Sequence, residues 1–545
     1  MQTNQNVEQT EYKKMLKAYH KLSDRHVLVL ETNLSHKDKC MVFHYADLER
    51  KAGNELVAIM KNNYEQMVRT KKYRKLKTLY GKYSNTEDND RRKDIAKQLN
   101  ELQEQYNVTW NFCRTSMIPI GKKYGIDAIF ALTKAEDIWR GLEKCLYSDA
   151  KTIHFTKRNV LPNIRAKQIN RGIVISSVNN RLQFKFNGVK FGVFLKDRFE
   201  NDEAKAIVNY LAEPDVKDKL AIETLQEEGI CISTYRPCYA TLVFKKIRGK
   251  LRVYVHVTIE GLSKTKYDSK GNPKHQYGKG YVGCDIGTQT IAYTSDTEVD
   301  LKNLAERGST IQTNERKERL IYRAMDRSRR ATNPQNYNAD GTVKKGYKTW
   351  TYSNRYKRLK AKHTELCRIN SVNRHLAINE DVNHIRELGD TFITEPKNAK
   401  RLQERAKNTT VNSKGKINKK KRFGRSIKNR CSGYFQAQIE RKFKNTNGVY
   451  IEVPNDYRAS QYDHTADDYL KKRLSDRLYK LRDGTEVQRD WYSSYLLYCY
   501  DYKTQNIDKN KCRTDFNKCY GKEKALITWI KANSIKILNS GIKVS

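Results

Sequence analysis

The segment Tyr281–Asp296, YVGCDIGTQTIAYTSD, constrains the fold more than any other stretch of this chain. Two apolar runs flank a turn containing Asp285 and Gly287, so the segment reads as strand, turn, strand. Downstream, DTFITEP is a further strand ending at Glu395, GYFQAQIERKFKN a helix and GVYIEVP a strand. RDWYSSYLLYCY is a final helix, with Asp490 immediately before its aromatic run. Strands and helices alternate, which makes the carboxy-terminal half α/β. Three element ends carrying carboxylates can converge. A phosphodiester-cleaving centre needs such a group, because two Mg²⁺ ions about 4 Å apart require oxygen ligands. Taken singly, each acid serves equally as a cap, a surface group or an ion-pair partner.

The preceding half has a different texture. Residues 26–46, HVLVLETNLSHKDKCMVFHYA, read as two short strands around a polar turn. From about Glu55 to Lys157 apolar positions recur at helical spacing, as in ELVAIMKNNYEQMV and KAEDIWRGLEKCL. Between about Arg165 and Lys270 the period shortens in GIVISSV, RLQFKFN and ATLVFKKIRGKLRVYVHVTIE, with Gly and Asn turns between. The simplest assembly of these pieces is a β-barrel interrupted by a helical insertion.

Composition sets the partner class. The 545 residues carry 107 Lys and Arg against 62 Asp and Glu, a net charge of +45, which attracts polyanions whatever the fold. An ordinary metabolic enzyme is improbable on that balance. The 35 Tyr beside 15 Phe add amphipathic aromatic surface able to stack on bases. The amino terminus lacks the apolar core of a signal peptide and no uninterrupted apolar run reaches about eighteen residues, so a soluble, intracellular protein without membrane association is expected. Eleven Cys form no CxxC pair; the nearest are Cys231 with Cys238 and Cys512 with Cys519, so structural zinc is not expected from them.

Several ordered motifs give a more specific reading. GCDIGTQTIAYTS, the basic MDRSRRATNPQNYNADGTVKKG, FITEPKN, FGRSIKNRCSGYFQAQIERKF with VYIEVPNDYRASQYD, and TEVQRDWYSSYLL occur in that order over roughly residues 275–500. In this order they resemble the motifs of the transposon-associated TnpB nucleases and the compact type V CRISPR effectors. The resemblance implies a RuvC-like nuclease in which Asp285, Glu395 and Asp490 are catalytic and hold two Mg²⁺ ions, with Mn²⁺ able to substitute. It also implies a multidomain α+β protein. Residues 1–50 and 160–275 would form a β-barrel wedge domain, and 51–159 a helical recognition lobe. Residues 276–459 and 486–545 would form an RNase-H-like α/β nuclease, and 460–485 a target-strand loading insertion. Many relatives bind zinc through two cysteine pairs in that last segment, whereas YDHTADDYLKKRLSDRLYKLRDGTEVQRD has none; Asp463, Asp467 and Asp468 there read as turn and surface residues.

Two basic stretches are candidate phosphate contacts. One comprises Arg327, Arg329 and Arg330 with Lys344 and Lys345; the other is the connector holding Lys414, Lys416, Lys419, Lys420, Lys421 and Arg422. A solvated helix face and a charged linker are the respective alternatives. Trp110, Trp139 and Trp491 read as packing residues. The partners implied by the resemblance are a guide RNA and a target DNA duplex with an adjacent short motif, in the cytoplasm or nucleoid of a prokaryotic cell. The chain is longer than a minimal TnpB, which favours the CRISPR side. A transposon-borne nuclease, a nuclease-inactive guided repressor and an RNA-binding or processing factor remain the alternatives.

Overall fold

The computed structural model describes residues 2–544 apart from 83–88, 149, 307–310, 405–422, 459–460, 471–472 and 474–475. The chain forms two compact units, Met1–Tyr267 and Asp268–Ser545.

The first unit begins with α1 (Gln2–Leu22) and β1 (Arg25–Thr32). It continues through α2 (His36–Arg69), α3 (Lys71–Lys82), α4 (Asn89–Gln105), α5 (Trp110–Lys123) and α6 (Ala128–Tyr147). The second strand expected before residue 46 is instead the start of α2. Ser35 caps that helix by accepting the Asp38 N–H at 3.1 Å. Val42, Tyr45, Ala46 and Glu49 are then buried at helical spacing, so the apolar triplet that suggested a strand belongs to a helix.

Next come β2 (Ile164–Arg165), β3 (Ile173–Val178), β4 (Arg181–Phe186), β5 (Val189–Phe191) and β6 (Val193–Phe194), then α7 (Arg198–Ala212), α8 (Pro214–Glu228), β7 (Pro237–Ile247) and β8 (Lys250–Glu260). The expected barrel is not formed. The strands lie in an open sheet of order β2-β7-β8-β1-β6 and a separate meander β3-β4-β5. β7 and β8 run 11 residues each, but the edge strands β2 and β6 have 2 residues each. Among the described residues, these edges offer too little ladder to close the sheet. The hairpin turns have left-handed backbones at Asn179 and Asn180, at Asn187 and Gly188, and at Arg248 and Gly249, the conformation that matches strand twist in two-residue hairpins. Helices α7 and α8 lie inside the stretch that reads as β-rich. Asp197 caps α7 through the Glu200 N–H, Pro214 opens α8, and Gly229 ends it in the left-handed conformation.

The second unit is built on β9 (Tyr281–Ile286), β10 (Thr290–Ser295) and β11 (Val299–Asn303). After these come α9 (Ile311–Thr332), α10 (Asn354–Leu388), β12 (Thr391–Thr394), α11 (Ala399–Leu402), α12 (Gly424–Arg430), α13 (Ser432–Lys444) and β13 (Val449–Glu452). Short strands β14 (Tyr462–Asp463), β15 (Asp468–Tyr469), β16 (Leu478–Lys480) and β17 (Glu486–Gln488) lead to α14 (Arg489–Tyr498). The chain finishes with β18 (Tyr500–Asp501), β19 (Asn506–Ile507), α15 (Lys509–Thr514) and α16 (Phe516–Ala532).

The main sheet has the order β11-β10-β9-β12-β13. β9, β10 and β11 are antiparallel neighbours, while β12 joins β9 in parallel and β13 joins β12 in parallel. Pleating sorts β9 into two faces. Val282, Cys284 and Ile286 pack with Ile378, Val382 and Ile385 of α10 and Phe435, Ile439 and Phe443 of α13. Gly283 and Asp285 face the other way, toward α14. That helix has no solvated stripe: every residue from Asp490 to Tyr498 is buried, as expected of a helix enclosed by its own core.

Candidate functional site

The parallel register of the sheet brings two of the acids together. Thr391 lies opposite Tyr281, and Ile393 and Thr394 lie opposite Gly283 and Cys284. One residue further, Glu395 is therefore alongside Asp285, on the same face and at the carboxyl ends of neighbouring parallel strands. The Thr394 hydroxyl donates to the Cys284 carbonyl at 2.9 Å and fixes this corner. Gly287 closes the turn beyond Asp285, its N–H donating to the Thr290 carbonyl at 2.8 Å.

The third acid arrives on α14. Gln488 is its N-cap, accepting the Trp491 N–H at 2.7 Å. This places Asp490 in the first turn, where the helix dipole favours a carboxylate. The helix lies directly on β9 at Gly283, where a Cβ would stand 2.1 Å from the Tyr498 nitrogen and 2.3 Å from the Ser494 carbonyl oxygen. Ser494 and Thr294 share a hydroxyl hydrogen bond of 2.9 Å across the same contact. Only glycine lets the helix come this close. Trp491 is fully buried and stacks on Tyr495 with centroids 5.8 Å apart, which locks the rotation of the helix that carries Asp490.

The charges in this cleft act strongly on one another. Burial pushes the Asp285 carboxyl up to about 7; the negative charges of Asp490 and Glu395 push the same way, while Lys397 and Arg489 oppose them. Burial also raises Glu395, against Lys397 and Arg489. Lys397 is lowered by its own burial and held up by Asp285, Glu395 and Asp490. Asp490 pairs with Arg489 at 3.4 Å and with Arg477 at 3.5 Å. Asp285, Glu395 and Lys397, with Asn398, Arg401, Gln436, Glu452 and Asn455, line a cleft of about 630 Å³. Among the described residues only Glu318, His363 and Cys367 bring three ligand atoms within 4.8 Å of one another, so the acids of the cleft are spread more widely than one small ion would gather them.

The other residues singled out in the sequence have varied fates. Arg327 is exposed on α9. Arg329 and Arg330 both bind Asp326 at 2.8 Å; they also lie over the Trp350 and Tyr337 rings, 5.0 and 5.3 Å from the centroids. These two arginines organise the loop after α9. Lys344 and Lys345 are exposed on that loop. Lys414, Lys416, Lys419, Lys420, Lys421 and Arg422 lie outside the described residues. Asp463 is fully buried rather than at the surface, accepting from Thr465 and from the Arg482 N–H, whereas Asp467 pairs with Lys509 at 2.8 Å as a surface residue does. Trp110 and Trp139 pack at the margin of the first unit's core.

Sequence reasoning missed the cations of the cleft. Lys397 lies two residues beyond Glu395 and Arg489 immediately before Asp490; both were visible in FITEPKN and VQRDW, yet neither spacing distinguishes a cleft cation from the many surface ones in so basic a chain.

No protein-family model matches the chain, and no curated protein matches it in sequence. Among solved structures, one it is similar to is described as a Cas12f1-sgRNA-target DNA complex, at 12% identity and a TM-score of 0.39, covering 87% of this chain and 98% of that one. Another is the Cas12i1 R-loop complex after target DNA cleavage, at 9% identity and a TM-score of 0.26, covering 90% of this chain and 65% of that one.

Proposed function

We propose that the protein is an RNA-guided DNA endonuclease of the compact type V CRISPR kind, cleaving in the cleft of Asp285, Glu395 and Asp490. The observation that carries this reading is the convergence of three acids, separated widely in sequence, on one face of a sheet of order β11-β10-β9-β12-β13. An antiparallel three-strand meander extended by two parallel strands is the arrangement expected of an RNase-H-like nuclease. Carboxylates at the ends of β9 and β12 and at the head of α14 are where such a nuclease would carry them.

The donor set fits a hard cation. Three carboxylates offer only oxygen, and the burial and mutual repulsion that raise Asp285 are what a divalent ion offsets. Asp285, Glu395 and Asp490 would hold two Mg²⁺ ions, as their spread beyond the reach of one small ion requires. When bound, Mg²⁺ would activate water and stabilise the leaving oxygen of a phosphodiester. Lys397 tempers the repulsion among the acids until the cation enters. Arg477 and Arg489 neutralise Asp490 and supply guanidinium groups suited to a phosphate oxygen. The charge of +45 supports binding to both guide and target, with affinity falling steeply as salt rises.

Purified with its co-expressed RNA, the protein is expected to cut a DNA matched to that guide in Mg²⁺ and to leave an unmatched DNA intact. Equal cutting of both would remove the guided part of the reading. With limiting Mg²⁺ the rate should rise with pH through about 7, since Asp285 must shed its proton to bind the cation. Lys397→Met should move that midpoint upward, because the ammonium is what lowers the Asp285 carboxyl. A profile flat from pH 6 to 8 at limiting metal, where the rate of chemistry is measured in single turnovers, would contradict the charge coupling.

A further inference from the structure

A second cluster lies away from the acidic cleft, between the long helices α9 and α10. His363 and Cys367 are four residues apart on α10 and so share one face, and Glu318 of α9 meets them. The His363 Nε2 is 3.3 Å from Glu318 Oε1 and 3.6 Å from Cys367 Sγ, and the Sγ is 3.5 Å from the same Oε1. These three distances can be compared with a metal centre. Tetrahedral zinc with bonds of about 2.0–2.1 Å to N and O and about 2.3 Å to S separates its ligands by about 3.3 Å for N and O and about 3.5–3.6 Å for each pair involving sulfur. All three edges of the observed triangle agree.

The chemistry agrees as well. A thiolate, a carboxylate and a neutral imidazole together carry the two negative charges that a divalent ion needs for neutrality. The side chains of His363 and Glu318 are 17% and 27% exposed, enough shelter to hold an ion and enough opening for a water as fourth ligand. Burial and the neighbouring Glu318 carboxylate push the Cys367 thiol up, against Lys428 and Arg374, and a divalent ion between thiolate and carboxylate would relieve that repulsion. The Tyr322 ring stands edge-on to His363, centroids 4.7 Å apart, and holds the imidazole in orientation. Thiolate and imidazole select Zn²⁺ over the Mg²⁺ suited to an all-oxygen cleft.

We propose that Glu318, His363 and Cys367 form a zinc site that clips α9 to α10. The site uses no CxxC pair, which is why cysteine spacing alone does not reveal it: its ligands come from two helices. It stands independently of the nuclease reading, since it shares no residue with that cleft.

The test uses the full chain without an affinity tag, kept reduced, stripped of metal and titrated with Co²⁺ and then Zn²⁺. Wild type is expected to take up one equivalent of Co²⁺ with the visible bands of a tetrahedral centre and a sulfur-to-cobalt charge-transfer band, and to exchange it for Zn²⁺. X-ray absorption of the zinc form should show one sulfur and the remainder nitrogen or oxygen. Cys367→Ala should lose the charge-transfer band, and His363→Gln and Glu318→Gln should each weaken Zn²⁺ by more than the roughly 10–100-fold that loss of an outer partner costs. Absence of tetrahedral cobalt bands in folded wild type, or a charge-transfer band of undiminished intensity in Cys367→Ala, would overturn the proposal. The group would then be a His–Glu ion pair with a thiol beside it. Should a variant not fold, the cobalt spectrum and zinc coordination of wild type still decide the matter.

Discussion

Asp285→Asn is expected to abolish Mg²⁺-dependent cleavage while leaving guide and target binding at wild-type affinity, and at the same time to make the metal-free protein more stable. The second half follows from linkage. The folded state holds the Asp285 carboxyl at about 7 against an ordinary 3.8, so its proton is bound more tightly when folded than when unfolded. Stability from this group is therefore present at low pH, declines between about pH 4 and pH 7, and is gone above. The amide keeps the shape and removes the charge. With a discount for partial exposure and for sharing among three acids, the gain at pH 8 is on the order of 2 kcal/mol. Denaturant unfolding of both proteins in chelator measures it, and Mg²⁺ should stabilise wild type more than the variant. Residual cleavage near the wild-type rate would remove Asp285 from the centre; a variant less stable than wild type at pH 8 would refute the electrostatic account.

Gly283→Val should be severely damaging to the second unit. Its Cβ would fall 2.1 Å from one backbone atom of α14 and 2.3 Å from another, and backbone cannot rotate away as a side-chain tip can. Displacing α14 opens the layer of Trp491, Tyr495 and Leu496 and carries Asp490 away from Asp285. A loss of about 3 kcal/mol or more is expected, with cleavage lost as well. Gly521→Ala is the control. It lies exposed in α16 with open space around its Cβ, and there alanine should stabilise by up to about 1 kcal/mol. Equal stabilities for Gly283→Val and wild type would mean that α14 does not rest on β9 as described.

The site was more legible in the sequence than the scaffold around the first unit. GCDIG, FITEP and VQRDW each put an acid at the end of a recognisable element, and strand register then did the rest, because parallel pairing of β12 with β9 sets Glu395 beside Asp285. The sequence could not supply that register, nor the contact of Gly283 with α14, which depends on atoms two hundred residues further along. In the first unit, short apolar runs misled. MVF is a strand-like triplet, yet Ser35 caps a helix through it. The segment before β7 held its helical signals in Asp197, Pro214 and Gly229, which the neighbouring β-rich runs overshadowed. Closure of a barrel depends on the length of its edge strands, and β2 and β6 are too short to have a clear signature.

The order of strands in the second sheet also fixes an order of assembly during synthesis. β9, β10 and β11 are consecutive hairpins and can pair as soon as they emerge. The partner on the other side of β9 is β12, and it arrives only after the whole of α9 and α10 has been made. α14 comes later still. A nascent chain therefore gains its acids one at a time, in the order Asp285, Glu395, Asp490. Until α14 docks, the glycine-bearing face of β9 remains open to water, so that a fragment stopping short of α14 is a partial sheet with two carboxylates and no completed cleft.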